Sequence, residues 1–189
     1  RMKPAAFDYV RADSAQAAAA LLQQHGENAR ILAGGQSLMA VLNMRLAQPG
    51  LLIDISRSTE LARIEVTPAA VRVGAAVTQA RLQAHPDVPP LLALAFPHIS
   101  HVPIRNRGTV CGSIAHADPS AELPLCLVAL QGSVHLRSAR GRRQLAAGAF
   151  FTGLLSTARR ADELIEAVSF PRPAAGQSFG FAEHARRHG

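Results

Sequence analysis

Tryptophan is absent from the 189 residues and tyrosine occurs once. Aromatic side chains therefore do not dominate the core, and Ala, Val, Leu and Ile must carry it. Cysteine is nearly absent too. Cys111 and Cys126 are too few for a disulfide framework and show no metal-ligand spacing. That usage fits a reducing compartment. No stretch approaches the roughly 18 consecutive apolar residues of a membrane span. Residues 1–12 lack the apolar centre of a signal peptide. The expected location is the cytoplasm, with no membrane span. Long charge runs are also missing. The net charge is +7, but the arginines fall in small groups: Arg140 with Arg142 and Arg143, Arg159 with Arg160, Arg186 with Arg187. No aromatics interleave with them as a base-stacking surface requires. Nucleic acid is not an expected partner. The basic balance reads as a soluble surface, or as a docking face for an acidic protein.

Apolar residues make up 48% and charged residues 17%, the profile of a globular chain. The length suits one ordinary domain or two small lobes sharing a cleft. Asp13 or Ser14 can cap a helix through residues 17–22, which Gly26 stops. Residues 30–33 read as a strand that ends in Gly34-Gly35. Ser37 can cap a short helix through Met44, and Pro49-Gly50 breaks the chain before a buried strand at residues 51–55. Helix, strand, loop, helix and strand make a small α/β lobe. After Ser58 the texture alternates. Residues 64–66 and 71–73 read as a hairpin, Thr78 caps a helix to about Ala84, and residues 91–96 are helical. Residues 104–118 read as loop or distorted strand, and 121–130 as a helix. Residues 134–136 and 143–145 form a second hairpin turning near Arg140-Gly141. A late strand covers 164–170, and Pro171 stops it. No internal repeat is evident.

Two loops carry the chemistry. In Ile31-Leu32-Ala33-Gly34-Gly35-Gln36-Ser37-Leu38 a strand delivers the chain to two glycines, and a helix follows. Glycines allow positive φ and close approach of a ligand to the backbone. Their N–H groups, with those at the helix start, make a concave donor surface for a phosphate, and the Ser37 hydroxyl adds a hydrogen bond. The pattern is neither Gly-x-Gly-x-x-Gly nor a Gly-Lys-Ser/Thr loop, so a tight strand-to-helix turn stands beside the functional reading. The second loop runs from Arg105 to Pro124. Gly108, Thr109, Gly112, Ser113, Ala115 and Ala117 line it with small residues. Asp118 and Glu122 are acceptors suited to ribose or ribityl hydroxyls. A surface loop with a helix start at Asp118-Pro119 would explain the same residues. His116 alone reads as a hydrogen-bonded structural histidine.

The pair is more specific than either member. Ala33-Gly34-Gly35-Gln36-Ser37-Leu38, with Arg45 and Leu52-Ile53-Asp54, resembles the first FAD motif of the molybdopterin dehydrogenase FAD-binding (medium) subunits. That family includes the medium subunits of carbon monoxide dehydrogenase and the flavin domain of xanthine dehydrogenase. Ile104 to Ser113, on to Leu123-Pro124, resembles its second motif. Phe150-Phe151-Thr152-Gly153, Asp162-Glu163-Leu164-Ile165 and Val168-Ser169-Phe170-Pro171 are similar to later landmarks in the same order. The resemblance covers essentially the whole chain.

It implies an α+β, two-lobed FAD-binding fold of the vanillyl-alcohol-oxidase/PCMH type, with a small N-terminal α/β lobe and a larger α+β lobe. Residues 1–57 would be the first lobe, 58–175 the second, and 176–189 the start of a C-terminal domain that is missing. Leu32, Ala33, Gly34, Gly35, Gln36, Ser37 and Leu38 would wrap the pyrophosphate. Thr109, Gly112, Ser113, His116 and Asp118 would approach the flavin and ribityl side. Glu122 occupies the acidic FAD-contact position, and Ile165 matches an apolar neighbour of the flavin ring. Ile99 falls where some members place an aromatic flavin neighbour. His184 lies where members often have a lysine against the flavin, and no lysine is present there. Cys111 stands where many members have the first glycine of a pair; its thiol is small enough to be tolerated, and a reactive cysteine is the alternative. The implied role is electron relay from the 2Fe–2S clusters of a small subunit, beside a molybdopterin-binding large subunit, to an external acceptor. A heterotrimer that dimerises is the expected assembly. A 2Fe–2S cluster needs four ligands, so the clusters belong to a partner. A non-redox nucleotide- or effector-binding module, and a basic nucleic-acid binder, are the alternatives.

Overall fold

The structure, a computed structural model, describes residues 3–184. Residues 185–189, which carry the end of the expected C-terminal-domain start, lie outside the described residues. The first part of the chain forms β1 (Asp8–Arg11), α1 (Ala15–His25), β2 (Ala29–Leu32), α2 (Leu38–Asn43) and β3 (Leu51–Asp54). β3 is the middle strand, with β1 and β2 parallel to it on either side. α1 starts at Ser14, whose hydroxyl accepts from the Ala17 N–H at 3.1 Å, and stops at Gly26 with φ +51°. Such a cap is worth about 1 kcal/mol. Ala15, Ala18, Ala19 and Leu22 recur at helical spacing, and all four are buried. α1 packs against β2 and β3 of this sheet and against two strands of the second sheet, described below.

The second part forms β4 (Ile64–Val66), β5 (Ala70–Gly74), α3 (Gln79–Gln83), α4 (Pro90–Ala95), α5 (Val102–Arg107), α6 (Val110–His116), α7 (Glu122–Ala129), β6 (Ser133–Ser138), β7 (Gly141–Ala146), α8 (Ala147–Phe150), β8 (Phe151–Gly153), β9 (Ser156–Thr157) and β10 (Leu164–Pro171). Five of the strands make an antiparallel sheet in the order β4-β5-β10-β6-β7. Val71, Val73, Val134, Leu136, Val168 and Phe170 are buried. They alternate with Arg72, His135, Arg137 and Ser169 on the other face. One continuous core runs from α1 through both sheets to α7. Among the described residues no helix is long and apolar enough to cross a membrane.

Both hairpins, the Thr78 cap and the late strand stand where the residue pattern puts them. Two expectations need correction, and β1 is an addition to the elements the residue pattern shows. Residues 104–118 are largely helical, as α5 and α6, rather than loop or distorted strand. Pro103 lies in the first turn of α5, and Thr109 caps α6 through its hydroxyl, so local capping outweighs the poor helix propensity of Gly112 and Ser113. Ser37 precedes α2 but makes no side-chain cap, because its own backbone is already helical at φ −87° and ψ −43°. β1 had no visible pattern, since three of its four side chains are exposed and one half-buried.

Candidate functional site

β2 ends beside β3, where the Ile55 N–H donates to the Leu32 carbonyl at 2.9 Å. The chain then turns through Ala33, Gly34 and Gly35, with Gly35 at φ +71°, a conformation that favours glycine. Gln36 folds back, its Nε2 donating to the Gly34 carbonyl at 2.9 Å. Ser37 is exposed; Leu32, Ala33, Gly34, Gly35, Gln36 and Leu38 are half-buried, so the whole loop is open to a ligand.

The second loop is held from below by backbone bonds. The Gln79 N–H donates to the Gly108 carbonyl at 2.8 Å, and the Val110 N–H to the Val77 carbonyl at 3.1 Å. Thr78 and Thr109 form a β-bridge between these bonds. Arg105 ties α5 to its surroundings: Nη1 donates to the carbonyls of Ile99 (2.7 Å) and Ser100 (2.9 Å), and Nε to Gln83 Oε1 (3.1 Å). The Arg107–Gly108 turn so anchored lies directly against the first loop. A Cβ on Gly34 would stand 2.2 Å from the Arg107 carbonyl oxygen and 2.7 Å from Gly108 Cα. A Cβ on Gly108 would meet Gln79 Nε2 at 3.3 Å and Gln36 Cγ at 3.5 Å. The two segments singled out in the sequence thus meet backbone to backbone.

The other expected contacts are placed unevenly. Gly112, Ser113 and His116 are half-buried on α6, within reach of solvent. Thr109 is only 4% exposed, and its hydroxyl already accepts from the Gly112 N–H at 3.0 Å. Asp118 Oδ1 accepts from both the N–H (2.9 Å) and the hydroxyl (2.7 Å) of Ser120, and these bonds hold its carboxyl below the usual range. Glu122 opens α7; burial, with a smaller push from Glu183, raises its carboxyl. Ile99 and Ile165 are each 6% exposed and belong to the core. His184 is exposed at the end of a segment that returns to this region, where His98 Nδ1 lies 3.8 Å from a Glu183 carboxylate oxygen and its ring 5.0 Å from that of Phe181. Cys111 is buried, and burial pushes its thiol up to about 12. Burial and the raised thiol both argue against the reactive-cysteine alternative at neutral pH.

Sequence reasoning missed Arg105 as a clamp and Gln79 as the floor of the junction. Gln79 is 6% exposed, and its Oε1 has no hydrogen-bond partner. Only Thr78 as a cap hinted that something is organised there. A separate cleft of about 600 Å³ lies on the outer face of the five-stranded sheet, where Glu166 gathers Arg72, Arg137 and Arg142. None of the residues lining it belongs to either loop.

The family described as the FAD-binding domain in molybdopterin dehydrogenase matches residues 5–173. The 6-hydroxypseudooxynicotine dehydrogenase complex subunit alpha of Paenarthrobacter nicotinovorans is 41% identical over 191 residues, covering 100% of this chain and 64% of that protein. The chain thus spans just under two thirds of that relative. Carbon monoxide dehydrogenase of Hydrogenophaga pseudoflava superposes with a TM-score of 0.95 at 37% identity, covering 100% of this chain and 67% of that one. p-Cresol methylhydroxylase shares the fold alone, with a TM-score of 0.51 at 10% identity over 87% of this chain and 35% of the other. This likeness agrees with the α+β PCMH-type fold that the family resemblance implies. With the family match spanning most of the chain, the protein belongs to the FAD-binding domain family of the molybdopterin dehydrogenases.

Proposed function

We propose that the chain is the FAD-holding, electron-relaying part of an oxidoreductase complex of the molybdenum hydroxylase type. The observation that carries the reading is the contact between Gly34 and the Arg107–Gly108 turn, which joins the two cofactor segments into one surface. The residues fit such a cofactor. Gly34 is side-chain-free where a Cβ would collide with backbone, and Gly35 takes a left-handed turn that exposes the loop. Leu32 to Leu38 would hold the pyrophosphate. Gly112, Ser113, His116 and Asp118 would lie along the hydroxyl-bearing and flavin side, with Glu122, Ile99, Ile165 and His184 at its margin. Residues 1–57 and 58–175 would form the two lobes that share it.

A bound flavin supplies the redox chemistry; the protein supplies binding, orientation and electrostatics. No side chain of this chain acts as nucleophile or general base in the proposal. Electrons would come from 2Fe–2S clusters in a partner, because two buried cysteines do not make a cluster site. The partners would be a molybdopterin-binding large subunit and a 2Fe–2S small subunit, in the cytoplasm. Titrating the purified chain with FAD tests the first part: saturable quenching of flavin fluorescence is expected, and a chain that ignores FAD sinks it. Co-purification with the presumed large and small subunits tests the second: failure to form any complex refutes the relay.

A further inference from the structure

Among the described residues, one buried side-chain nitrogen or oxygen lacks a hydrogen-bond partner, and it is Oε1 of Gln79. Buried polar atoms are almost always paired, and an exception calls for a reason. Local rules are broken most often where function requires it. The location is specific. Gln79 opens α3 under the α5–α6 turn, and its backbone N–H holds the Gly108 carbonyl at 2.8 Å. Its amide nitrogen and Gln36 Cγ both lie within 3.5 Å of the position a Gly108 Cβ would take. Gln79, Gly108 of the second loop and Gln36 of the first converge on one point.

We propose that Gln79 is a cofactor-positioning residue, whose side-chain oxygen accepts a hydrogen bond from a sugar-type hydroxyl of the bound dinucleotide. This rests on the FAD reading above. Chemistry selects the donor. Pyrophosphate oxygens only accept, whereas the ribose and ribityl groups that flank a pyrophosphate carry hydroxyls that donate. In this proposal Gln36, whose Cγ lies by the same point as the Gln79 amide nitrogen, is the movable cover. It is half-buried, and its side chain is tied by one bond to the Gly34 carbonyl. A cofactor seated on the first loop turns it aside and brings a hydroxyl to Gln79.

The test is Gln79→Met, an apolar replacement of similar length, measured by thermal melting of the cofactor-free chain and by fluorescence titration. Removing an unpaired acceptor raises the melting temperature of the cofactor-free protein, while FAD binds about tenfold more weakly, near the worth of one hydrogen bond. The opposite signs are the signature, because a merely structural glutamine moves only the melt. FMN carries only the ribityl hydroxyls and ADP only the ribose hydroxyls. Weaker FMN with unchanged ADP assigns the ribityl chain; the reverse assigns the ribose. A variant that binds FAD like the unmodified chain, or melts lower than it, overturns the role of Gln79 and leaves the FAD reading standing. An unmodified chain that binds no FAD in the same titration overturns both.

Discussion

Replacing Gly34 by alanine puts a methyl carbon 2.2 Å from the Arg107 carbonyl oxygen, where ordinary contact begins at 3.4 Å. The other near atoms, Gly108 Cα at 2.7 Å and the Arg107 carbonyl carbon at 2.9 Å, are also backbone, so no side chain can swing away. The two loops must part by about 1 Å, because packed interiors have no slack to absorb the difference. Overpacking of this kind costs about 1–3 kcal/mol. At about 2–4 °C per kcal/mol for a chain of this size, the melting temperature should fall by roughly 2–12 °C. FAD affinity should fall by tenfold or more, equivalent to about 1.4 kcal/mol, since the cofactor surface is the pair of loops held together. Gly148→Ala is the control. Gly148 lies in α8 with nothing within 4 Å of its would-be Cβ. Alanine there should leave FAD affinity unchanged and raise stability by up to about 1 kcal/mol. Melting curves and flavin-fluorescence titrations of the two variants make the comparison. If Gly34→Ala melts and binds FAD like the unmodified chain, the contact between the loops does not build the site.

Acid should weaken the fold through Glu163 and Glu166. Burial pushes both carboxyls up, but hydrogen bonds and charge from Arg143 on Glu163, and from Arg142 and Arg137 on Glu166, outweigh it and hold both below the ordinary range. The unfolded chain therefore takes up these protons first, at an ordinary value of about 4.3. The stabilisation is complete above that value and is lost as pH falls through the lower folded-state values. Urea denaturation at pH 7 and pH 3 measures it, and equal or greater stability at pH 3 contradicts the assignment. Cys111 and Cys126, with thiols pushed by burial up to about 12 and about 11, should resist iodoacetamide at pH 8 in the native chain and react once it is unfolded. Rapid native alkylation of Cys111 would restore the reactive reading. Ala18→Leu, at a fully buried position of α1, should lower both melting temperature and FAD affinity without touching either loop. A variant that loses stability but keeps full affinity would show that the spacing of the sheets does not reach the site.

What the sequence disclosed follows from which forces are local. Ser14 and Thr78 were legible as caps because a capping hydroxyl acts on a backbone N–H three residues away. The hairpins were legible because Val71 and Val73, or Val134 and Leu136, alternate with polar residues on the open face. α5 and α6 were not. They are six and seven residues long, contain or adjoin Gly108 and Gly112, and lean on distant bonds to Val77 and Gln79. The glycines of both loops were visible individually. That Gly34 touches Arg107 is a fact of tertiary structure, and no local pattern encodes it. Gln79 was invisible for a further reason: a glutamine at the start of a helix normally faces water, and only its burial makes it unusual.

The contact between Gly34 and Arg107 has a cause further down the chain. The Gly34 loop belongs to the parallel sheet, and the Arg107–Gly108 turn is pinned to the segment that leaves β5 of the antiparallel sheet. The distance between the loops is therefore expected to follow how closely the two sheets approach. α1 sits between them, touching β2 and β3 on one side and β6 and β10 on the other. Its buried positions are Ala15, Ala18, Ala19 and Leu22. Alanines let a helix lie near two sheets at once, and larger side chains would hold them apart. The buried alanines of α1 are thus expected to act as the spacer that lets two glycine-bearing loops from different sheets close into one surface, and Ala18→Leu is the substitution that tests it.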